Sequence, residues 1–232
     1  MKPVLYLGLD VHKETIAVAG VAAGRSRDFK IQTTVPVRDE SIRRFFGGLR
    51  RKYRVSACYE AGCMGYWLQR TLAGMGMECS IAAPTMLPRR PGDKVKTDNR
   101  DARDIALALR AGQVTGIFVP NPETEALRDL LRTREDLRLD LMRHEHRLSK
   151  FRLRHNRIYG EGKQWTQKHD RWLRGLDMGH PALQETLAIY GCRVRETEEH
   201  LRELDRRPEA VAKSEPFVEL AGFIRSAMIH AA

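Results

Sequence analysis

The chain has 232 residues, enough for one large domain or two small ones. Its 41 Lys and Arg residues against 30 Asp and Glu give a net charge of +11, which favours a polyanionic partner over a merely solvated basic surface. No apolar run approaches the roughly 18 residues of a membrane span, so we expect no membrane partner. The cysteines form no Cys-x-x-Cys pair, which favours reduced thiols in the cytoplasm.

The first 120 residues alternate between strand-like and helix-like patterns. Three runs joined by short links, Val4 to Leu9, Thr15 to Ala22 and Phe29 to Val35, predict an antiparallel meander. An amphipathic helix, a strand from Val55 to Tyr59, a second helix, a strand from Cys79 to Ala83 and a third helix follow. This order predicts an α/β domain of the RNase H-like type, with the first strand near the middle of the sheet.

Acidic residues stand at the ends of these elements. Asp10 follows the first strand in Leu-Gly-Leu-Asp-Val-His-Lys, and Glu60 follows the fourth in Cys-Tyr-Glu-Ala-Gly. Asp98 and Asp101 are three residues apart at the start of the third helix, so they share one helix face. Carboxylates that converge repel one another unless a cation neutralises them, and such ligands favour Mg²⁺ or Mn²⁺. Because paired metal ions serve phosphodiester cleavage, the sequence predicts metal-dependent nucleic-acid chemistry.

Other interpretations of these acids stay open. A Gly-Leu-Asp strand end is also typical of sugar kinases and actin-like ATPases, although Val11, His12 and Lys13 stand where those proteins need glycines. Acids at a helix start can simply offset the helix dipole, which explains one of the pair Asp98 and Asp101 better than both.

A basic segment borders the acidic pair. Lys94 and Lys96 precede it, and Arg100 and Arg103 are interleaved with it. Cations so close to a predicted metal site are suited to hold a phosphate, so we expect this segment to contact the nucleic-acid backbone.

From residue 121 the pattern changes to long, charged, helix-like stretches. Apolar residues recur at spacings of three and four on either side of a glycine-containing connector. The first stretch has Leu130, Leu137, Leu141, Leu148, Phe151 and Ile158, and the second has Leu183, Leu187, Tyr190, Val194, Thr197, Leu201 and Leu204. This predicts an antiparallel coiled-coil hairpin over residues 121–207, or arms that pair with another subunit.

Polar and basic residues mark the first of these stretches. Arg134, His144 and His155 interrupt its apolar series, which suggests a wetter seam shared with a partner or with RNA. Its cations are predicted to contact nucleic acid through phosphates: Arg143, Arg147, Lys150, Arg152, Arg154 and Arg157.

The acidic motifs together resemble a known family. Gly-Leu-Asp10-Val-His-Lys, Tyr-Glu60-Ala-Gly and Lys-Thr-Asp98-Asn-Arg-Asp101-Ala-Arg are similar to motifs of the DEDD transposases of bacterial insertion sequences. This is the group named for insertion sequence one-ten, which includes the Piv-type DNA invertases. The resemblance implies a RuvC-like domain over residues 1–120, with Asp10, Glu60, Asp98 and Asp101 as its catalytic, metal-binding set.

The resemblance also implies partners and a location. A coiled coil supports assembly into dimers or tetramers, DNA is the partner, and some members are directed by a structured guide RNA. We therefore expect a bacterial cytoplasmic protein associated with the nucleoid.

A serine nucleophile comes from a further C-terminal domain in that family. Residues 208–232 look like the start of such a domain, with an apolar helix from Phe217 to Ile229. Ser226 lies in that helix without matching a nucleophile motif. Because the domain only begins here, we expect a truncated or frameshifted copy.

Three functions remain as hypotheses. The first is a transposase, which cleaves and exchanges DNA strands with metal ions. The second is a RuvC-like, structure-specific nuclease that uses the acids and water alone. The third is a non-catalytic DNA- or RNA-binding regulator of a full-length transposase.

Overall fold

The computed structural model describes residues 2–26, 28–86 and 98–212, without the side chains of residues 86, 98, 99 and 207–212. The chain divides into two units, Met1–Val119 and Pro120–Ala232, each with a core of its own. The first unit contains β1 (Val4–Val11), β2 (Thr15–Ala22), β3 (Phe29–Pro36), α1 (Asp39–Lys52), β4 (Arg54–Glu60), α2 (Trp67–Gly74), β5 (Glu78–Ala82) and α3 (Asp98–Arg110). The second contains α4 (Pro122–Arg154), α5 (Gln167–Arg174) and α6 (Pro181–Ala212).

The strands form one five-stranded sheet in the order β3-β2-β1-β4-β5. β1 pairs antiparallel with β2 and parallel with β4, and β5 extends the parallel part. The α/β class and the central position of β1 are therefore confirmed, and the architecture is compatible with an RNase H-like fold. The parallel pairing brings the ends of β1 and β4 to the same edge of the sheet.

One face of the sheet carries the large apolar side chains. Leu5, Leu7 and Leu9 alternate along β1 and are completely buried, as the two-residue period of a strand requires. Phe46 of α1 and Leu72 of α2 belong to the same buried cluster. Burying side chains of this size stabilises the fold by about 1.5–3 kcal/mol each.

The opposite face is built from small residues. Ala102 of α3 packs with Ala17 and Ala19 of β2. A Cβ atom on Gly8 would overlap the Ala102 carbonyl oxygen and the Ala106 nitrogen. The absence of a side chain at Gly8 therefore lets the backbone of α3 lie directly on β1.

The second unit is a helical assembly. α4 and α6 run antiparallel, since Arg134 pairs with Asp205 while His144 pairs with Thr197. A cluster of buried apolar side chains joins α4, α5 and α6: Leu148, Phe151, Leu173, Met178, Leu187 and Val194. In the described part of the chain, no helix is long and apolar enough to cross a bilayer.

The end of α4 corrects the predicted apolar series. α4 ends at Arg154, and Asn156 adopts a left-handed φ of 53°, a conformation that Asn tolerates better than most residues after a helix. Ile158 lies beyond this turn and is 66% exposed. The prediction that Ile158 continues the helical seam is therefore wrong.

Candidate functional site

Asp10 lies on the central strand, close to its end. It pairs with Ala17 of β2, and its side chain is 22% exposed. Nε2 of His12 lies 3.0 Å from Oδ2 of Asp10. The carboxylate is thus accessible, and a neighbour that sequence reasoning did not include in the site helps to orient it.

Glu60 is the last residue of β4 and the neighbour of Asp10 across the sheet. Leu9 and Tyr59 are the last registered pair of β1 and β4, and Asp10 and Glu60 are the residues that follow them. Neighbouring strands are about 4.8 Å apart, and residues in register on parallel strands point to the same face. The two carboxylates therefore occupy one face at one edge of the sheet.

This face is the one that α3 covers. Gly8 is two residues before Asp10 and contacts α3, so Asp10 points to the α3 side of the sheet. Cys58 is two residues before Glu60 and clusters with Ile105 of α3. Both acidic residues thus share a sheet face with α3.

The direction of α3 brings its start to these carboxylates. Near the helix start, Ala102 packs with Ala17, which pairs with Asp10. At the helix end, the Arg110 guanidinium donates to the carbonyl oxygens of Ala22, at 3.5 Å, and Ser26. Because Ala22 pairs with Leu5, near the start of β1, α3 runs antiparallel to β1 and begins at the Asp10 end.

Asp98 and Asp101 are in the first turn of α3. Asp101 is half-buried and lies one turn before Ile105, on the flank that packs toward β4 and β5. The backbone of Asp98 starts the helix, and its side chain lies outside the described part. The described side chains include no group of three His, Cys, Asp or Glu residues close enough to hold a metal ion. The set of oxygen donors nevertheless suits Mg²⁺ or Mn²⁺.

The basic residues predicted near this site fall into two groups. Lys94 and Lys96 lie outside the described residues. Arg100 and Arg103 are exposed on α3, and the Arg103 guanidinium lies 4.5 Å from the centre of the Phe29 ring. Both arginines are therefore exposed to solvent in the first turns of the helix that carries Asp98 and Asp101.

The basic residues predicted on α4 differ in their surroundings. Arg147, Lys150 and Arg154 are exposed, and Arg143 is exposed but pairs with Asp140 at 2.7 Å. Arg152 is only 2% exposed and donates to Oε1 of Gln164 at 3.1 Å. Its prediction as a surface phosphate contact is therefore revised, because it faces the interior of the second unit.

Two features of this region were missed by sequence reasoning. His12 lies two residues after Asp10 but beyond the end of the strand at Val11. The alternation of a strand therefore could not predict that its side chain contacts Asp10. Gly8 was noted as part of the motif, but its contact with α3 depends on residues far away in the sequence. A glycine two residues before the acid is the available signal for that contact.

Comparisons with known proteins identify the family. A sequence model of the IS110 DEDD transposases, described as "Transposase", matches residues 7–154. The transposase for insertion sequence element IS1533 of Leptospira borgpetersenii is 40% identical over 229 residues, which are 97% of this chain and 66% of that protein. The protein y4qE of Sinorhizobium fredii, whose name also describes a transposase, is 40% identical over 183 residues, 78% of this chain and 47% of that protein.

The chain belongs to the IS110 family of DEDD transposases. The matching family model describes transposases, and one of the relatives is the transposase of an insertion sequence. The chain spans 66% and 47% of the lengths of the two relatives.

Proposed function

We propose that this chain takes part in DNA strand cleavage and exchange, with Asp10, Glu60, Asp98 and Asp101 as the ligands of Mg²⁺ or Mn²⁺. The observation that supports this most is the register of β1 and β4. It makes Asp10 and Glu60 neighbours on the sheet face where α3 begins. The start of α3, which carries Asp98 and Asp101, lies at the same edge of the sheet, and we propose that these two residues complete the set.

The roles of the residues follow from their positions. Divalent ions bound there supply electrostatic stabilisation of the charge that develops on a DNA phosphate. The imidazole of His12, 3.0 Å from Asp10, restricts the rotation of that carboxylate. Arg100 and Arg103 hold the DNA backbone beside the acids. Ser226 lies outside the described residues, and the proposal assigns no nucleophile to it.

The second unit supplies nucleic-acid contact and assembly in this proposal. The exposed cations Arg147, Lys150 and Arg154 bind phosphates of DNA or of a structured guide RNA. We propose that the antiparallel helices α4 and α6 act as the predicted coiled-coil hairpin and support a homo-oligomer of two or four chains.

Calorimetric titration with Mn²⁺ tests the metal ligands. We expect Asp10→Asn, Asp98→Asn and Asp101→Asn each to weaken Mn²⁺ binding by about tenfold or more. Mutation of residues that only hydrogen-bond to a metal ligand already lowers metal affinity by about that factor. Glu78→Gln is the matched control, because Glu78 begins β5 at the opposite edge of the sheet and pairs with Arg54. Unchanged Mn²⁺ affinity in both the Asp98 and Asp101 variants would contradict the assignment.

A nicking assay on supercoiled plasmid distinguishes the transposase from the nuclease and regulator alternatives. Nicking that requires Mn²⁺ and disappears in Asp10→Asn supports the nuclease alternative for this chain alone. DNA binding with no nicking supports the regulator alternative. Strand joining between two DNA substrates supports the transposase.

A further inference from the structure

The last turn of α4 and the connector that follows it contain buried hydrogen-bond donors that have no acceptor among the described residues. These are Nε of Arg152, Nε of Arg157 and Nε2 of His169, each without a partner in the part of the chain that the structure describes. Buried polar atoms are paired in the great majority of cases, because an unmade hydrogen bond costs about 1–3 kcal/mol. Orphaned donors in one region therefore point to an acceptor that is not part of the described chain.

Arg152 and His169 belong to one cluster of side chains, and the backbone of Arg157 is hydrogen-bonded to the backbone of Arg152. The Arg152 guanidinium lies 5.2 Å from the centre of the Trp172 ring, and the His169 ring stacks on Trp172 at 5.9 Å. Tyr159 contacts the same imidazole, with ring centres 4.8 Å apart. The Arg157 amide donates to the Arg152 carbonyl oxygen at 3.0 Å. We call Arg152, Arg157, His169 and Trp172 the connector cluster.

Hydrogen bonding defines the tautomer of His169. The Trp165 amide donates to Nδ1 of His169 at 3.1 Å, so Nδ1 accepts and Nε2 carries the hydrogen in the neutral ring. Burial and the nearby Arg152 cation lower the pKa of His169, which keeps the ring neutral. Nε2 is therefore a donor, and like the arginine Nε atoms it requires an acceptor.

The charge of Arg152 makes that acceptor an anion. Arg152 is 2% exposed, and the polar partner of its side chain is the neutral amide of Gln164. Among the described residues, no carboxylate forms an ion pair with it. A buried guanidinium without a counter-charge is strongly unfavourable, and an oxyanion would supply both the charge and the missing acceptors.

A cavity opens beside the connector cluster. Its volume is about 720 Å³, and Trp165 and His169 are among its lining residues. Trp165 has a left-handed φ of 61°, which is a strained conformation for a bulky residue. Strained residues of this kind cluster at binding sites. The volume is in the range of small-ligand sites, and an indole in the wall can stack a nucleobase.

Both signs of charge line the cavity. Asp170 pairs with Arg174 at 2.8 Å and with Arg195 at 3.5 Å, and Arg202 pairs with Glu198 at 2.5 Å. With four acidic residues and four arginines among its lining residues, the cavity adds no net charge to that of Arg152.

The outer surface of the same helix end is also cationic. Arg147, Lys150 and Arg154 are exposed on the last turns of α4, and none of them forms an ion pair within the described residues. These three cations and the net charge of +11 attract a polyanion. They therefore favour a nucleic-acid strand over a small free acid as the ligand. We infer that the connector cluster binds a phosphate of a single-stranded nucleic acid, with the adjacent base in the cavity beside Trp165. The site lies in the second unit and uses no metal.

Tryptophan fluorescence can test this in the full chain. The Trp67→Phe background leaves Trp165 and Trp172, both in the connector, as the only indoles. Titrations use inorganic phosphate, oligothymidylate and oligouridylate, all in EDTA so that failure of the metal proposal does not affect the result. We expect saturable fluorescence changes, with both oligonucleotides binding more tightly than inorganic phosphate.

Matched variants identify the anion contact. Arg157→Gln should weaken oligonucleotide binding about tenfold, the effect of one hydrogen bond to a charged group. Arg138→Gln, which removes the same charge from an exposed ion pair on α4, should change it less than about twofold. Equal losses in both variants, or a wild-type signal that no probe changes, would overturn the proposal.

Thermal denaturation supplies a second measurement. Arg152→Met should keep or raise the melting temperature of the free protein, because it removes an unpaired buried charge. It should also abolish the rise that an oligonucleotide gives the wild type by linkage. A lower melting temperature in the free variant with an undiminished oligonucleotide effect would show that Arg152 only packs the helices. Binding of inorganic phosphate as tightly as either oligonucleotide would overturn the choice of a nucleic-acid strand.

Discussion

Arg134 of α4 and Asp205 of α6 form an ion pair between helices that are far apart in the sequence, with Nε 2.6 Å from Oδ1. The sequence suggested that Arg134 and His144 interrupt the apolar seam of α4 because they contact a partner or RNA. In the structure both are paired within the chain instead, His144 with Thr197 at 3.1 Å. These polar contacts fix the antiparallel register of α4 and α6, as polar residues in helical seams commonly do.

A double-mutant cycle on this pair measures its contribution. Arg134→Ala, Asp205→Ala and the double variant should show a coupling free energy of about 1 kcal/mol in urea unfolding, because both side chains are partly shielded from water. The exposed pair of Arg138 and Glu135 is the control, and its coupling should be clearly smaller, because water screens both charges. Equal coupling in the two cycles would show that the interhelical pair has no special role.

The contact between Gly8 and α3 gives a second prediction. Gly8→Ala should lower the free energy of unfolding by about 1–3 kcal/mol or more, because the new methyl group overlaps the backbone of α3. Gly48→Ala is the control with the opposite sign. Its Cβ would meet only the end of the Arg51 side chain, at 4.0 Å, and alanine stabilises a helix interior by about 0.5–1 kcal/mol relative to glycine.

Mn²⁺ binding extends this prediction to the site. If α3 must lie on β1 to bring Asp98 and Asp101 to Asp10, Gly8→Ala should also weaken Mn²⁺ binding at temperatures where the fold persists. Circular dichroism confirms the fold, and calorimetry measures the affinity. A destabilised variant with full Mn²⁺ affinity would show that the contact of Gly8 with α3 stabilises the fold but is not needed for metal binding.

The sheet and its acids could be predicted because their signals are local. Val4 to Leu9 is a near-continuous apolar run, as expected of a strand buried inside a sheet, and Asp10 follows it at the strand end. The burial of Arg152 could not be predicted, since the residues that enclose it, Gln164 and Trp172, come from another part of the chain. The sequence places an arginine on a helix, but only the packing of the connector decides which way it faces.

The end of α4 lies between these cases. Spacing alone extends the helix to Ile158, whereas Asn156 is a residue that favours a left-handed helix end. Reading that signal would have ended the helix before Ile158.

Nucleic-acid binding should depend on the exposed, unpaired cations of α4. Replacing Arg147, Lys150 and Arg154 together by Gln should reduce the slope of log affinity against log salt by about 0.9 for each lost phosphate contact on duplex DNA. The control variant replaces Arg132, Arg138 and Arg193, which are engaged in ion pairs with Asp129, Glu135 and Glu196. Fluorescence anisotropy at several salt concentrations measures both slopes. Identical slopes would show that the salt dependence of binding follows the net charge of the protein and not these three positions.

The helical seam and the outer helix surface can be tested separately for self-association. Leu148 is fully buried and Leu141 packs against the same cluster, so Leu141→Asp with Leu148→Asp should unfold the second unit, whatever the number of chains. Met142 and Leu153 are 41% and 53% exposed and lie eleven residues, about three turns, apart on one face of α4. Met142→Asp with Leu153→Asp should therefore leave the melting curve by circular dichroism unchanged. If the chain forms the expected dimer through this face, the same variant will sediment as a monomer at concentrations where the wild type is dimeric. Dissociation caused only by the seam variant, with its helices still folded, would mean that α4 and α6 exchange partners between chains.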